Sequence, residues 1–377
     1  MKLLCRRAVW IAFLFLFLAT LTASLFWLSR SVRNGRVAGL SSIRAAFNLE
    51  LINRAKNADD LFQLVKEIEL RGTSVPFVKK FIILPSGKIL LLGGSILMFD
   101  STGNYLATIG RKGGGPGEYI NPMDIGVDSV GRIYLLDFAR RKIEVFDTTG
   151  TFRYDFSISG FADQLVIGGD RVFVYGAFYQ PWMASCYKLN GEALFQFAHP
   201  TAYVEACEKN QVPVVVGATG CISYWDKSVY LIYPDEYRIR EFSYDGEETK
   251  NFRGFSSEFI ELNPQKIARR DQPPADFRPT ILRRVLVWRG LIFVIIQNIR
   301  ISKFFVDIYS DSGERLNNSS LAFKTTAPDL STLTVGLRGD FACIYQPVLQ
   351  KSLEIENPVI KIYHFVAVTG DTNRPLE

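Results

Sequence analysis

Three observations predict an all-β fold, a six-bladed β-propeller preceded by an N-terminal transmembrane helix and a short helical neck, for this chain of 377 residues. The first is a weak internal repeat in which a turn leads into a short apolar strand. It occurs at Ser86-Gly87-Lys88-Ile89-Leu90-Leu91, Val130-Gly131-Arg132-Ile133-Tyr134-Leu135 and Gly169-Asp170-Arg171-Val172-Phe173-Val174. It returns at Asp226-Lys227-Ser228-Val229-Tyr230-Leu231, Arg289-Gly290-Leu291-Ile292-Phe293-Val294 and Arg338-Gly339-Asp340-Phe341-Ala342-Cys343. The second is a turn glycine closing each unit, at Gly103, Gly150, Gly191, Gly246, Gly313 and, less clearly, Gly370, with intervals of 47, 41, 55, 67 and 57 residues. Self-similarity at this period, with several strands per unit, marks a propeller. The third is an uncharged apolar run at the N-terminus.

That run covers residues 8–28, 21 residues from Ala8 to Leu28 without a charge. At about 1.5 Å rise per residue it reaches roughly 30 Å, the thickness of a bilayer core. Residues 1–7 are read as a cytoplasmic tail and 8–28 as an uncleaved transmembrane signal anchor. The alternative is secretion after cleavage, for which Leu21-Thr22-Ala23 is a poor site because the apolar run continues through Phe26 and Leu28. Basic residues flank the run on both sides, so the positive-inside rule does not decide its orientation. The large following domain favours delivery across the membrane, with the propeller on the extracytoplasmic side of the cytoplasmic membrane. Residues 29–64 read as a linker and neck helix, with Ile43, Phe47, Leu51, Ile52, Leu61 and Leu64 at broadly helical spacing.

From residue 65 to 377 the pattern is that of strands separated by Gly, Asp, Ser and Asn turns. Ring closure requires a strand from one terminus to complete the sheet built by the other. The strand ending near Glu67 to Leu70 is the natural partner of Ile360 to Val366, and pairing them removes two exposed edges. In strands such as Lys142-Ile143-Glu144-Val145, alternation predicts that Ile143 and Val145 are buried and that Lys142 and Glu144 face a wetter side.

The formal net charge of +6 resides in residues 1–36, which hold Lys2, Arg6, Arg7, Arg30, Arg33 and Arg36 and no acid; the remainder has 38 basic and 38 acidic residues. A balanced propeller gives no reason to expect a nucleic-acid surface. Four cysteines follow the apolar run. Of their three pairings, Cys207 with Cys221 is preferred because they bracket a loop-like stretch, and Cys343, in an apolar strand, is expected to be a buried free thiol. With only His199 and His364 and no Cys-x-x-Cys pair, a zinc site has little to be built from.

The densest stretch contains Phe99-Asp100-Ser101-Thr102-Gly103, Gly110-Arg111-Lys112-Gly113-Gly114-Gly115-Pro116-Gly117-Glu118 and Phe146-Asp147-Thr148-Thr149-Gly150. It resembles the NHL-type six-bladed β-propellers, particularly bacterial exported ones, over about residues 80–150. In that pattern a Gly-Pro-Gly-Glu connection leads into the next blade and a Phe-Asp-x-x-Gly turn joins its outer strands. Later units keep only the turn, as in Asn190-Gly191 and Asp245-Gly246. Residues 110–117 lack the Gly-Lys-Ser/Thr ending of a phosphate cradle and run into a strand, so a structural connection is expected there.

Two classes of function are compatible with this fold. One is a binding or scaffolding module for a protein, peptide or envelope glycan, needing no cofactor. Its candidate contact residues lie on two long loops, Tyr179 and Trp182 on one and Arg269, Arg270, Phe277 and Arg278 on the other, because aromatics with arginine are the usual interface anchors. The alternative is a metal-dependent hydrolase or lactonase with a divalent ion at the channel mouth, toward which Asp124, Asp128 and Asp137 are the acids to consider. Such acids more often fix turns or pair with arginine, as Asp137 can with Arg140 or Arg141.

Overall fold

The computed structural model describes residues 46–75, 77–176, 181–210, 221–233, 235–266, 280–323, 329–335, 340–345 and 357–368. Six four-stranded antiparallel sheets make the blades. Blade 1 is β2(Lys80–Ile83), β3(Ile89–Leu92), β4(Ile96–Phe99) and β5(Tyr105–Ile109). A short parallel pair, β6(Arg111–Lys112) and β7(Glu118–Tyr119), leads to blade 2: β8(Pro122–Val127), β9(Ile133–Asp137), β10(Lys142–Phe146) and β11(Phe152–Ser157). Blade 3 is β12(Gln164–Gly168), β13(Arg171–Tyr175), β14(Ala184–Lys188) and β15(Ala193–Phe197), and blade 4 is β16(Cys221–Trp225), β17(Ser228–Ile232), β18(Arg238–Ser243) and β19(Glu248–Arg253). Blade 5 is β20(Thr280–Trp288), β21(Leu291–Asn298), β22(Lys303–Ser310) and β23(Leu321–Ala322). The last blade joins β24(Asp329–Val335), β25(Asp340–Tyr345) and β26(Val359–Phe365) to an N-terminal strand, β1(Phe62–Glu69).

The ring therefore closes as the sequence predicts, with Glu67 opposite Lys361 and Ile68 opposite Ile360. A Lys361–Glu67 ion pair at 2.9 Å and an Asn357 Nδ2 donation to Glu69 Oε1 at 2.9 Å reinforce the seam.

The first strand of each unit lies innermost, and β2, β8, β12, β16, β20 and β24 follow one another around the channel. Apolar residues on both faces of the middle strands then fill the gaps between blades. Among the described residues there are six clusters, one per gap. Leu90, Leu92 and Met98 of blade 1, for example, meet Ile125, Leu135 and Phe146 of blade 2. Burial on both faces explains why the middle strands read as continuous apolar runs and the outermost strands as alternating ones.

The turn glycines have a definite task. At Gly103 φ is +93°, and a Cβ there would stand 2.1 Å from the Glu69 carbonyl oxygen, so the hairpin of blade 1 can rest on the closing strand only if residue 103 is glycine. Asp100 holds the same turn by accepting from Thr102 N at 2.8 Å and Asn104 N at 2.9 Å. Asp147 repeats this with Thr149 N at 2.8 Å and Thr151 N at 3.0 Å.

Two expectations change. Residues 46–64 are not a free-standing neck: α1(Leu49–Arg54) and a one-turn 3₁₀ segment, Ala58–Asp60, dock against blades 5 and 6. Phe47, Ile52 and Leu61 are buried there, the Phe47 ring lies 5.6 Å from that of Trp288, and the strand itself begins at Phe62, before the expected boundary at 65. Glu144 does not face a wetter side; it is fully buried, and its carboxylate meets the Arg140 guanidinium at 2.8 Å. The apolar run 8–28 lies outside the described residues, among which no helix is long and apolar enough to cross a membrane.

Candidate functional site

Antiparallel neighbours divide the connections between the two faces of the disc. Hairpins joining the first strand to the second, and the third to the fourth, lie on one face. Inter-blade connections and second-to-third-strand loops lie on the other, where the inner strands also begin. At this second face the channel opens into a cavity of about 250 Å³, lined by Val78, Lys79, Met123, Asp124, Asp163, Gln164, Arg283 and Arg284. A second cavity of about 240 Å³ lies along the inner strands. Its wall is largely apolar, with Phe81, Leu165, Ile222, Trp225, Val285 and Leu333.

Each charged group at the mouth is placed by the start or a bulge of an inner strand. Lys79 precedes β2, and its Nζ donates to the Pro122 carbonyl at 2.6 Å and meets Met123 Sδ at 3.5 Å. No carboxylate pairs with it among the described residues, and burial pulls its pKa down. Lys80 pairs with Asp124 at 2.8 Å, and Asp124 Oδ2 also accepts from Leu165 N at 2.8 Å, so that carboxylate is fully engaged in joining three blades' inner strands.

Asp163, just ahead of β12, is different. Its backbone N donates to Tyr175 O at 3.0 Å, but among the described residues neither carboxyl oxygen has a hydrogen-bond partner, and only 4% of the residue is exposed. Burial, with the Asp124 charge adding to it, drives its pKa well above the ordinary carboxyl range, and the nearby Arg284 offsets only part of this. Arg283 and Arg284 sit at the bulge of β20, where pairing shifts between Leu282 and Arg284. Arg283 Nε donates to Gln297 Oε1 at 2.6 Å, and Arg284 reaches Cys221 Sγ at 3.9 Å.

The acids considered for a metal do not converge. Asp124 is at the mouth, but Asp128 holds a hairpin of the opposite face through Val130 N, Arg132 N and the Arg132 guanidinium at 2.7 Å. Asp137 fixes the connection between blades 1 and 2 by accepting from Ile120 N at 2.7 Å and Asn121 N at 3.0 Å; the Arg140 side chain goes to Glu144 instead. Among the described residues no group of three or more His, Cys, Asp and Glu side chains is placed to hold a metal ion. Lysines and arginines around the mouth suit a divalent cation poorly.

The glycine-rich stretch is structural. Glu118 occupies its interior, accepting from Gly115 N at 2.8 Å and pairing with Arg111 at 2.7 Å, which leaves no room for a phosphate.

Of the expected contact residues, Trp182 belongs to a second-to-third-strand loop and so lies on the same face as the channel mouth. It is half-buried, its ring 4.2 Å from that of His199, and it borders a groove with Ser159, Ser185, Cys186 and Gln196. Tyr179, Arg269, Arg270, Phe277 and Arg278 lie outside the described residues. The expected Cys207–Cys221 disulfide is not formed. Cys207, on the buried side of α2(Ala202–Lys209), and Cys221, packed between blades 4 and 5, are each outside any disulfide. Their positions serve two different packing surfaces. Cys343 is buried and outside any disulfide, as expected.

Lys79, Asp163, Arg283 and Arg284 were not among the sequence-derived candidates. Their signal was a break in pattern: Arg283-Arg284 interrupts the apolar run from Ile281 to Trp288, and Lys79-Lys80 precedes Phe81-Ile82-Ile83.

Comparison with known proteins supports the architecture. A family described as a six-bladed β-propeller matches residues 52–164. No curated protein matches the chain. Among solved structures, a Bacteroides fragilis protein described as exported aligns at 14% identity over 83% of this chain and 98% of its own, with a TM-score of 0.61. A member of the DUF4221 family from Bacteroides vulgatus aligns at 10% identity over 82% and 99%, with a TM-score of 0.57. Likeness at these identities concerns the fold alone.

Proposed function

We propose that the protein is a membrane-anchored, extracytoplasmic binding module that engages its ligand through the disc face bearing the inter-blade connections. The observation that carries this reading is the polar cavity at the channel mouth, where charged side chains gather on an otherwise charge-balanced propeller. Among the described residues the opposite face is built mostly from short hairpins, the ten-residue connection between β22 and β23 being the exception. Trp182 shares the face with the cavity, so an aromatic groove and a polar pocket stand on one side of the disc. Such a combination suits recognition of a protein, peptide or glycan of the envelope. The exported description of the Bacteroides fragilis neighbour agrees with an extracytoplasmic location.

Retention of the purified full chain, in detergent, on immobilised envelope glycans and peptides tests the reading. Saturable binding that Met123→Trp at the mouth or Trp182→Ala in the groove weakens, with ligand-free unfolding unchanged, is the expected result. Binding indifferent to both substitutions would place recognition elsewhere.

A further inference from the structure

We propose that the outer groove between blades 2 and 3 binds a neutral pyranose of an envelope glycan, its ring laid on the Trp182 indole and its hydroxyls met by Gln196, Ser185 and Ser159. This rests on the binding-module reading and names the ligand class of one site on the same face.

The groove exists because blade 3 is polar where its outer strands approach blade 2. On β15, Phe195 and Phe197 pack toward blade 4, Phe195 against Gly246, so Gln196 between them points back toward blade 2. There its Nε2 stands 3.5 Å from Ser159 Oγ, on the connection leaving blade 2, and 3.4 Å from Ser185 Oγ, on the residue directly opposite it in β14. Ser159 N donates to the Tyr187 hydroxyl at 2.7 Å, which pins the serine beside the amide. The groove so formed has a volume of about 470 Å³.

The same pair of strands carries Trp182 to the groove. Met183 N donates to Ala198 O at 2.8 Å, so the pairing of β14 and β15 runs past their ends and sets the Trp182 ring against that of His199, 4.2 Å away. His199 backs the indole, and Trp182 lines the groove beside the polar groups. Three residues separate it from Ser185, so the two Cα atoms are at most about 11 Å apart. A sugar ring with its hydroxyls, or two linked rings, covers that reach.

The polar groups have hydrogen-bonding capacity left. A primary amide has two donors and an acceptor, yet Gln196 makes only the two long contacts from its nitrogen, and its Oε1 has no partner among the described residues. Neither serine hydroxyl donates to an acceptor among the described residues, although Ser185 is only 6% exposed. Hydroxyls and an amide both give and accept, as sugar hydroxyls do. No lining side chain carries a formal charge, so a charged ligand would lose water here without gaining a counter-charge. A peptide added to the edge strand β15 would pair through main chain in the plane of the sheet, leaving unused the side chains that stand off its face.

The test titrates the full chain, in a detergent without a sugar headgroup, with glucose, N-acetylglucosamine and maltose, against glucuronate and glucosamine. At least one neutral sugar is expected to bind saturably and to change the tryptophan emission, with each charged analogue at least about tenfold weaker than its neutral counterpart. Trp182→Ala should weaken binding by about tenfold. Trp182→Phe keeps a ring and should stay within about threefold while abolishing the emission change, which assigns the contact to this one of the five tryptophans. Gln196→Ala, at an exposed position, should weaken binding by about threefold to tenfold. Should Trp182→Ala not fold, Trp182→Phe and Gln196→Ala decide.

No binding of any neutral sugar, equal affinity for neutral and charged sugars, or an emission change that survives Trp182→Phe would overturn the proposal. If an envelope peptide is retained instead, weakened by Trp182→Ala and indifferent to Gln196→Ala, the sugar assignment falls and the binding-module reading survives. If Met123→Trp and Trp182→Ala both leave retention on envelope glycans and peptides intact, the reading of this face falls with it.

Discussion

Glu144 shows at the scale of one residue how the propeller overrides strand alternation. A middle strand in a blade has another blade against each face, so its central positions are dry on both sides, and this carboxyl is fully buried although its neighbours in sequence suggest an outward face. Burial raises its pKa to about 7, and the ion pair with Arg140 offsets only part of that rise. The folded pKa stands above the unfolded value of about 4.3. The folded state therefore binds this proton more tightly, its contribution is complete below about pH 4, and it is lost as pH rises through 7. Glu144→Gln keeps the shape and removes the titration. Relative to the unaltered chain, it should gain stability between pH 5 and pH 8, on the order of 2 kcal/mol by pH 8. Denaturant unfolding at the two pH values measures this, because all other titrating groups are shared and cancel in the difference. A gap between the two proteins that does not change with pH would show that Glu144 is ionised throughout.

At the scale of the element, the closing strand β1 is the part whose loss costs most. It contributes the outer edge of the last blade, supplies the Glu69 carbonyl on which Gly103 of blade 1 rests, and begins with Phe62, whose ring is 5.1 Å from Phe341 and 5.3 Å from Phe365. One strand thus ties the first blade to the last. A chain starting at residue 70 should lose its single cooperative transition and unfold gradually, whereas one starting at residue 46 should unfold sharply; calorimetry of the two distinguishes them. An unchanged midpoint for the shorter chain would mean that the ring closes without β1.

How far such elements can be read from sequence depends on what forms them. The hairpins at Gly103, Gly150, Gly191, Gly246 and Gly313 were legible because a left-handed φ, between +83° and +93° at all five, restricts the residue type strongly. The docking of Phe47 and Ile52 was not, since a helix that packs on a disc and one that stands away from it have the same spacing. The channel mouth was legible only as a disturbance. Nothing local tells that Lys79, Asp163 and Arg284, 205 positions apart at the extremes, line one cavity; blade geometry alone brings them together.

For the whole molecule, the distribution of charge and of thiols makes topology testable. The six excess positive charges precede residue 37, on either side of the apolar run 8–28, and the remaining 341 residues balance. Of the five cysteines, Cys186, Cys207, Cys221 and Cys343 are buried within the propeller and outside any disulfide, while Cys5 stands before the apolar run. A buried thiol is slow to react with a bulky polar maleimide, so in the native protein Cys5 is the expected point of labelling. An uncleaved anchor with its N-terminus inside predicts no labelling of sealed, right-side-out vesicles and labelling at one site once they are permeabilised. The Cys5→Ser variant should then label in neither. Labelling of sealed vesicles would reverse the orientation and put the channel mouth in the cytoplasm, removing access to any envelope ligand. Absence of labelling in both, with all remaining thiols reactive after denaturation, would mean that the apolar run is removed as a signal and that the propeller is secreted without its membrane tether.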